Sequence, residues 1–296
     1  MNRRPTAVLT FAERTEQVYF LAAEHTRAFM DGVEARLRRH TFRPGLGLTS
    51  AHYVTTLYFD SAAQEIARSC EQGDQNIKLR AREYYDREPN HTIRREPFLW
   101  LEVKTRDGAK TRKMRVGIPL SDVGTLLQNG VFSRRMVSLR HWLWGESTKG
   151  ILQEISNLCM RTAEPLRPDC LAHYRRRAWQ DPSGALRITL DSELAFYRPP
   201  PSLANAGSAL SEALIGPPAG RLDQKVIEIK LRGHPPAWLR RLIFSTKLEP
   251  AGEGPRPFSK FIAASRAVHL APQVAPYLAF HRAPPHPLHR NESYED

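Results

Sequence analysis

The sequence predicts an α+β fold: a closed antiparallel eight-stranded β-barrel with helices packed outside it. Three observations carry that reading. Eight segments of the 296-residue chain have strand character, five of them alternate charged with apolar residues, and two stretches of helical period are available to cover an apolar surface.

Taken in order, a first strand is expected near Glu13–Leu21, followed by a helix within Ala22–His40, where Phe29, Val33 and Leu37 recur at i, i+4 and i+8. Strands are then expected at Tyr53–Asp60, Asn76–Tyr85, Phe98–Arg106 and Thr111–Leu120. A helical stretch around Leu126–Cys159 separates them from strands at Cys170–Gln180, Ala185–Tyr197 and Lys225–Arg232. About eight strands suffice to close a barrel. The segment Arg198–Gly220, rich in Pro, Ala, Ser and Gly, reads as an insertion between strands. Residues 1–12 read as an N-terminal extension, 13–270 as one domain, and 271–296 as a disordered Pro- and His-rich tail. His281, His286 and His289 in that tail have nothing to fix ligand geometry.

Composition narrows the partners. With 44 Lys and Arg against 31 Asp and Glu, the net charge of +13 calls for polyanions: nucleic acid, an acidic membrane surface or phosphate-rich small molecules. Cys70, Cys159 and Cys170 match no zinc or redox spacing and read as reduced thiols, which fits a cytoplasmic protein. No apolar run approaches the roughly 20 residues of a membrane helix, and the N-terminus has no signal-peptide core.

The informative pattern is alternation. Lys78, Arg80 and Arg82 alternate with Ile77, Leu79 and Ala81, so a strand there presents three cations on one face. Likewise Glu102 and Lys104 oppose Leu101 and Val103, and Lys113 and Arg115 oppose Met114 and Val116. Arg187, Thr189 and Asp191 oppose Ile188 and Leu190, and Glu228, Lys230 and Arg232 oppose Ile227, Ile229 and Leu231. One such strand would simply face solvent. Five, closed into a barrel with apolar faces outward, converge their charges on the lumen. Confined cations need a counterion, and a run of phosphates suits a ring of Lys and forked Arg donors. Glu102, Asp191 and Glu228 are either neutralising partners or oxygen ligands for Mg²⁺ or Mn²⁺, with Glu228 the best ligand candidate.

The strings YVTTLYFDS, IKLRAREYY, WLEVKTRDGAKTRKMRV, HYRRRAWQ, LRITLDSELAF, KVIEIKL and PFSKF, in that order, resemble the vacuolar transporter chaperone (VTC) domain, the polyphosphate-polymerase branch of the CYTH-like triphosphate tunnel metalloenzymes. The resemblance spans roughly Glu13 to Ala264. It implies a tunnel whose relatives transfer the terminal phosphate of ATP onto polyphosphate with Mn²⁺ or Mg²⁺. Carried over by motif, Arg80, Arg82, Lys104, Arg176, Arg187 and Lys260 would be catalytic, and Lys78, Lys110, Lys113, Arg115, Lys230 and Ser259 would bind phosphate. Glu228 would hold the metal. ATP and polyphosphate are the implied partners. No nucleic acid is expected, and a separate membrane partner is left open, since neither the regulatory SPX domain nor the membrane tail of eukaryotic relatives has a counterpart here.

One departure bears on activity. Relatives carry Lys before the aromatic residue of the first strand, where this chain has Val18 before Tyr19. Two alternatives to the polymerase therefore stand: a non-catalytic polyphosphate binder, and a triphosphatase on the same fold. The triphosphatase branch usually has an ExExK strand, whereas Glu13 and Glu16 are three apart. P-loop, nucleophile-elbow and protein-kinase motifs are absent from the sequence.

Overall fold

The computed structural model of the chain describes residues 15–40, 52–73, 76–87, 93–95, 98–107, 110–119, 149–204, 210, 215–253 and 256–270. The elements that position the site are the strands β1 (Thr15–Leu21), β2 (Arg38–Arg39), β3 (His52–Asp60), β4 (Asn76–Arg87), β5 (Ile93–Arg95), β6 (Phe98–Asp107), β7 (Lys110–Pro119), β8 (Arg167–Gln180), β9 (Leu186–Tyr197), β10 (Gly220–Leu222), β11 (Lys225–Leu231) and β12 (Glu249–Pro250). The helices are α1 (Thr26–Glu34), α2 (Glu65–Gln72), α3 (Lys149–Arg161), α4 (Ala237–Ser245) and α5 (Lys260–His269). The expected strands are all present to within a few residues at their ends. Of the second expected helical stretch, 126–148 lies outside the described residues and the rest falls in α3. The expected tail and N-terminal extension also lie outside them.

The strands form one antiparallel sheet in the order β12-β1-β11-β9-β8-β3-β4-β6-β7, with β2, β5 and β10 as short additions to β8, β4 and β9. The sheet curls strongly. Six strand-to-strand steps separate β1 from β6, about 29 Å on a flat sheet at roughly 4.8 Å per step. Yet Lys104 of β6 makes a 3.1 Å ion pair with Glu16 of β1. Register breaks between Tyr58 and Phe59 and between His173 and Arg175 help the sheet bend.

The expected closed barrel is found only in part: among the described residues hydrogen bonds do not close the sheet. The free edge of β1 is taken by β12, where Tyr19 and Phe20 pair with Pro250 and Glu249 and the Ala251 N–H donates to the Val18 carbonyl. Among the described residues β7 ends the other edge of this strongly curled sheet.

Both faces are as the alternation requires. On the convex side, Ile188, Leu190, Ile227 and Ile229 pack with Trp179 beneath Phe29 and Val33 of α1 and Leu239 of α4. Gly32 lets these two helices approach closely, since a Cβ there would stand 2.5 Å from Leu242 Cδ1. Farther round, Leu99, Leu101, Val103, Val116 and Ile118 share a core with Ile151, Leu152 and Ile155 of α3. Asp60, in the YFDS string, accepts backbone N–H bonds from Ser61, Ile66 and Ala67, tying β3 to the first turn of α2. Burial outweighs those bonds and pushes its carboxyl up to about 6. All three cysteines are free thiols, and burial raises each of them.

Candidate functional site

Directly paired residues on adjacent strands share a face. Register therefore decides which predicted residues meet. Lys78 pairs with Lys104 and Lys104 with Lys113; Arg80 pairs with Glu102 and Glu102 with Arg115. Across the sheet Arg176 pairs with Asp191, Lys230 with Arg187, and Glu16 with Lys230. All of these occupy the concave face, together with Arg82 one pair along β4 from Arg80. Lys260 reaches the same face from the first residue of α5.

Four carboxylates organise these cations. Glu102 is fully buried and lies 2.7 Å from Arg80, 2.5 Å from Lys113 and 4.0 Å from Arg82. Burial alone would raise its carboxyl, but Lys113, Arg80 and Arg82 hold it well below the usual range. Asp191, also fully buried, accepts a two-pronged bond from Arg176 at 2.6 and 2.7 Å and pairs with Lys260 at 2.8 Å. Glu228 meets Lys260 at 2.6 Å, Lys230 at 3.3 Å and Arg176 at 3.4 Å. Against burial, Lys260, Lys230 and Arg176 keep it ionised. Glu16 bridges Lys104 at 3.1 Å and Lys230 at 3.3 Å, and these charges, Lys230 foremost, bring it down to about 2.

The remaining predicted residues stand around these clusters. Ser259 caps α5 by accepting from the Ile262 N–H and also accepts from Lys78 Nζ at 2.9 Å. Arg115 stacks over Trp100 at 4.4 Å. Arg82 donates to the Thr56 and Tyr84 hydroxyls. Arg187 stands near His40, whose imidazole is held below its usual range by burial and then by that guanidinium. Lys110 belongs to β7, but its side chain lies outside the described residues.

Several participants escaped the sequence reading. In the sequence Glu16 stands out only by its spacing from Glu13, which lies outside the described residues. Its strand period with Val18 and Phe20 was the available signal, since it sets all three facing the lumen. Tyr174, two residues before Arg176, lies under both Arg176 and Lys260, with cation-to-ring distances of 5.2 and 5.3 Å. Val18 faces Glu228 in the register and packs with Phe20 in the apolar cluster, so no cation stands there.

Ten predicted basic residues thus share one concave face with four acids that each pair with several of them. The surplus is positive, and crowding tells on the lysines. Burial lowers Lys78 to about 8 and also lowers Lys104 and Lys113. Lys78 is therefore charged below about pH 8 and loses its proton above it, well before an ordinary lysine. Affinity for tripolyphosphate is expected to fall about tenfold between pH 7 and 9.5, the weight of one charge-assisted hydrogen bond. Titration calorimetry at both pH values checks this, and Lys78→Arg should reduce the fall.

Among the described residues no cluster of three or more His, Cys, Asp and Glu side chains forms a protein cage for a metal. The donor set nevertheless fits a shared divalent ion. Glu228 and Glu16 each place an oxygen 3.3 Å from Lys230 Nζ, so two carboxylates flank one cationic point. A hard cation there would draw its other oxygens from phosphates and water.

A curled antiparallel sheet with a cationic, acid-braced concave face defines a polyanion-binding protein of the phosphate-tunnel kind. The VTC domain model matches residues 12–269, and the chain belongs to that family. Membership indicates a triphosphate- or polyphosphate-related function, an enzyme acting on triphosphates and a divalent metal cofactor. A search of curated protein sequences found no match. Among solved structures, one described as "a putative adenylate cyclase" from Bacillus halodurans is similar at 10% identity and a TM-score of 0.48. That match covers 85% of this chain and 97% of the other. No helix among the described residues is long and apolar enough to cross a membrane.

Proposed function

We propose that the chain is a cytoplasmic polyphosphate polymerase that transfers the terminal phosphate of ATP onto a growing polyphosphate chain, with residues 13–270 as its working domain. The observation that carries this reading is the concave face itself. Arg80, Arg82, Lys104, Lys113, Arg176 and Lys260 converge from four strands and a helix on a space that a linear phosphate chain would fill.

Phosphoryl transfer requires alignment of the attacking and leaving oxygens and stabilisation of charge on the moving group. Arg80 and Lys113 are braced together by Glu102, and Arg176 and Lys260 by Asp191, so their remaining donors are oriented before substrate arrives. Lys78, Arg115, Lys230 and Ser259 extend the row of phosphate contacts. Glu228, with Glu16 beside it, would hold Mn²⁺ or Mg²⁺, which supplies Lewis-acid polarisation of phosphate oxygens when bound. No side chain needs to form a covalent intermediate.

Glu16 also favours a second reading, a triphosphatase, because an acid on β1 next to Glu228 adds a carboxylate where a water-activating metal could bind. Incubation of the purified chain with ATP and Mn²⁺, followed by gel detection of long phosphate chains and assay of free phosphate, separates the two. Long chains absent from a Glu228→Ala control support the polymerase. Free phosphate alone supports the triphosphatase. Tight polyphosphate binding without turnover would point instead to a binder and to Val18 as the cause.

A further inference from the structure

We infer that Glu102 is a built-in counter-anion that limits how tightly the tunnel grips phosphate, and so allows a bound chain to advance and leave. The inference rests on the phosphate-tunnel reading above and assigns a role to a residue outside the phosphate-binding set. Glu102 has no exposed surface, and its charged neighbours are all predicted phosphate contacts: Arg80 at 2.7 Å, Lys113 at 2.5 Å and Arg82 at 4.0 Å. Arg115 is its cross-strand neighbour on β7.

Two consequences follow from that placement. Arg80 spends its Nε and Nη2 donors on one Glu102 oxygen, so only the rest of its fork can turn to a ligand. The fixed negative charge also repels any phosphate bound to the same cations, and repulsion in a partly desolvated lumen is far stronger than in bulk water. A tunnel of unopposed Lys and Arg would bind a polyanion so firmly that release became limiting. A chain that advances by one phosphate per transfer has to break and remake each contact. Glu102 opposes the grip without entering it, which makes it a positioning residue with a measurable effect on affinity.

The test is Glu102→Gln, which keeps the acceptor oxygen and the shape while removing the charge. Tripolyphosphate and a long polyphosphate are titrated against both proteins across a salt series. Affinity of the variant is expected to rise at least tenfold, with a steeper dependence on salt and with turnover limited by product release in single-turnover against steady-state comparison. A residue that merely supported the fold would not tighten binding. Unchanged or weaker affinity in a protein with native circular dichroism would overturn the inference. If Glu102→Gln does not fold, Lys113→Met paired with Glu102→Gln restores the charge balance, and its affinity must then exceed that of Lys113→Met alone. Failure of the tunnel reading looks different: neither the parent nor any variant would bind polyphosphate.

Discussion

Replacing Lys260 with methionine is expected to reduce turnover at least about 1,000-fold and to destabilise the fold by about 3–5 kcal/mol. The side chain is only 8% exposed and its ammonium joins both deep acids, at 2.8 Å from Asp191 and 2.6 Å from Glu228. Burial would lower its pKa, but Asp191 and Glu228 more than reverse this, so it stays charged throughout the ordinary pH range. Removing the ammonium leaves two buried carboxylates facing each other across Arg176, and that uncompensated charge is the source of the destabilisation. The same raised pKa makes its contribution to stability complete below the ordinary lysine value of about 10.5 and lost as pH rises through the still higher folded value. Thermal melts at pH 7 and steady-state kinetics at a temperature where the variant is folded separate the two effects. Retained turnover in a folded Lys260→Met protein would remove α5 from the catalytic machinery.

The fold was legible in the sequence to the extent that strand period exposed it. Lys78, Arg80 and Arg82 against Ile77, Leu79 and Ala81 announced a two-faced strand, and the convex core under α1 and α3 is what those apolar residues required. The helices α2, α4 and α5, each only eight to ten residues long, were missed, although Leu239, Leu242 and Ile243 of α4 carry a helical spacing that was an available signal. Closure was not legible for a different reason. Alternation states that charges share a face, but which edge pairs with which depends on residues as short as Glu249–Pro250, whose sequence carries no strand signal.

Within the site, residue types were easier to read than their partners. The basic residues on the concave face could be listed from alternation and motif, yet nothing local foretold that Glu102 would gather cations from β4 and β7, or that Asp191 would be shared by a β8 arginine and a lysine from α5. Those contacts join segments far apart in sequence, Asp191 and Lys260 being 69 positions apart. Sequence period fixes the face of a residue, whereas curvature of the sheet fixes whom it meets. Glu16 shows the distinction: its face followed from its place in β1, but its contact with Lys104 exists only because the sheet curls until β1 and β6 approach each other.

The string HYRRRAWQ offers a test with its own internal controls. Arg176→Lys is expected to lower kcat/KM about 100-fold, or about 2.7 kcal/mol, whereas Arg175→Lys and Arg177→Lys should leave it within about twofold. Three consecutive arginines on a strand cannot share a face. Arg176 turns inward, grips both oxygens of Asp191 with Nε and Nη2, and extends to Glu228 at 3.4 Å. Lysine keeps the charge but has no planar fork, so one Asp191 oxygen and the Glu228 contact are lost together. Arg175 turns outward, 39% exposed, to Glu193, and Arg177 lies against Met30 of α1 on the convex side. All three substitutions keep the positive charge, so a role for net charge alone predicts no loss in any of them, and a loss at Arg176 must come from the geometry of its fork. Equal losses would show that the inward-facing fork of Arg176 has no special role. A loss confined to Arg176 would tie activity to the forked contact on the concave face.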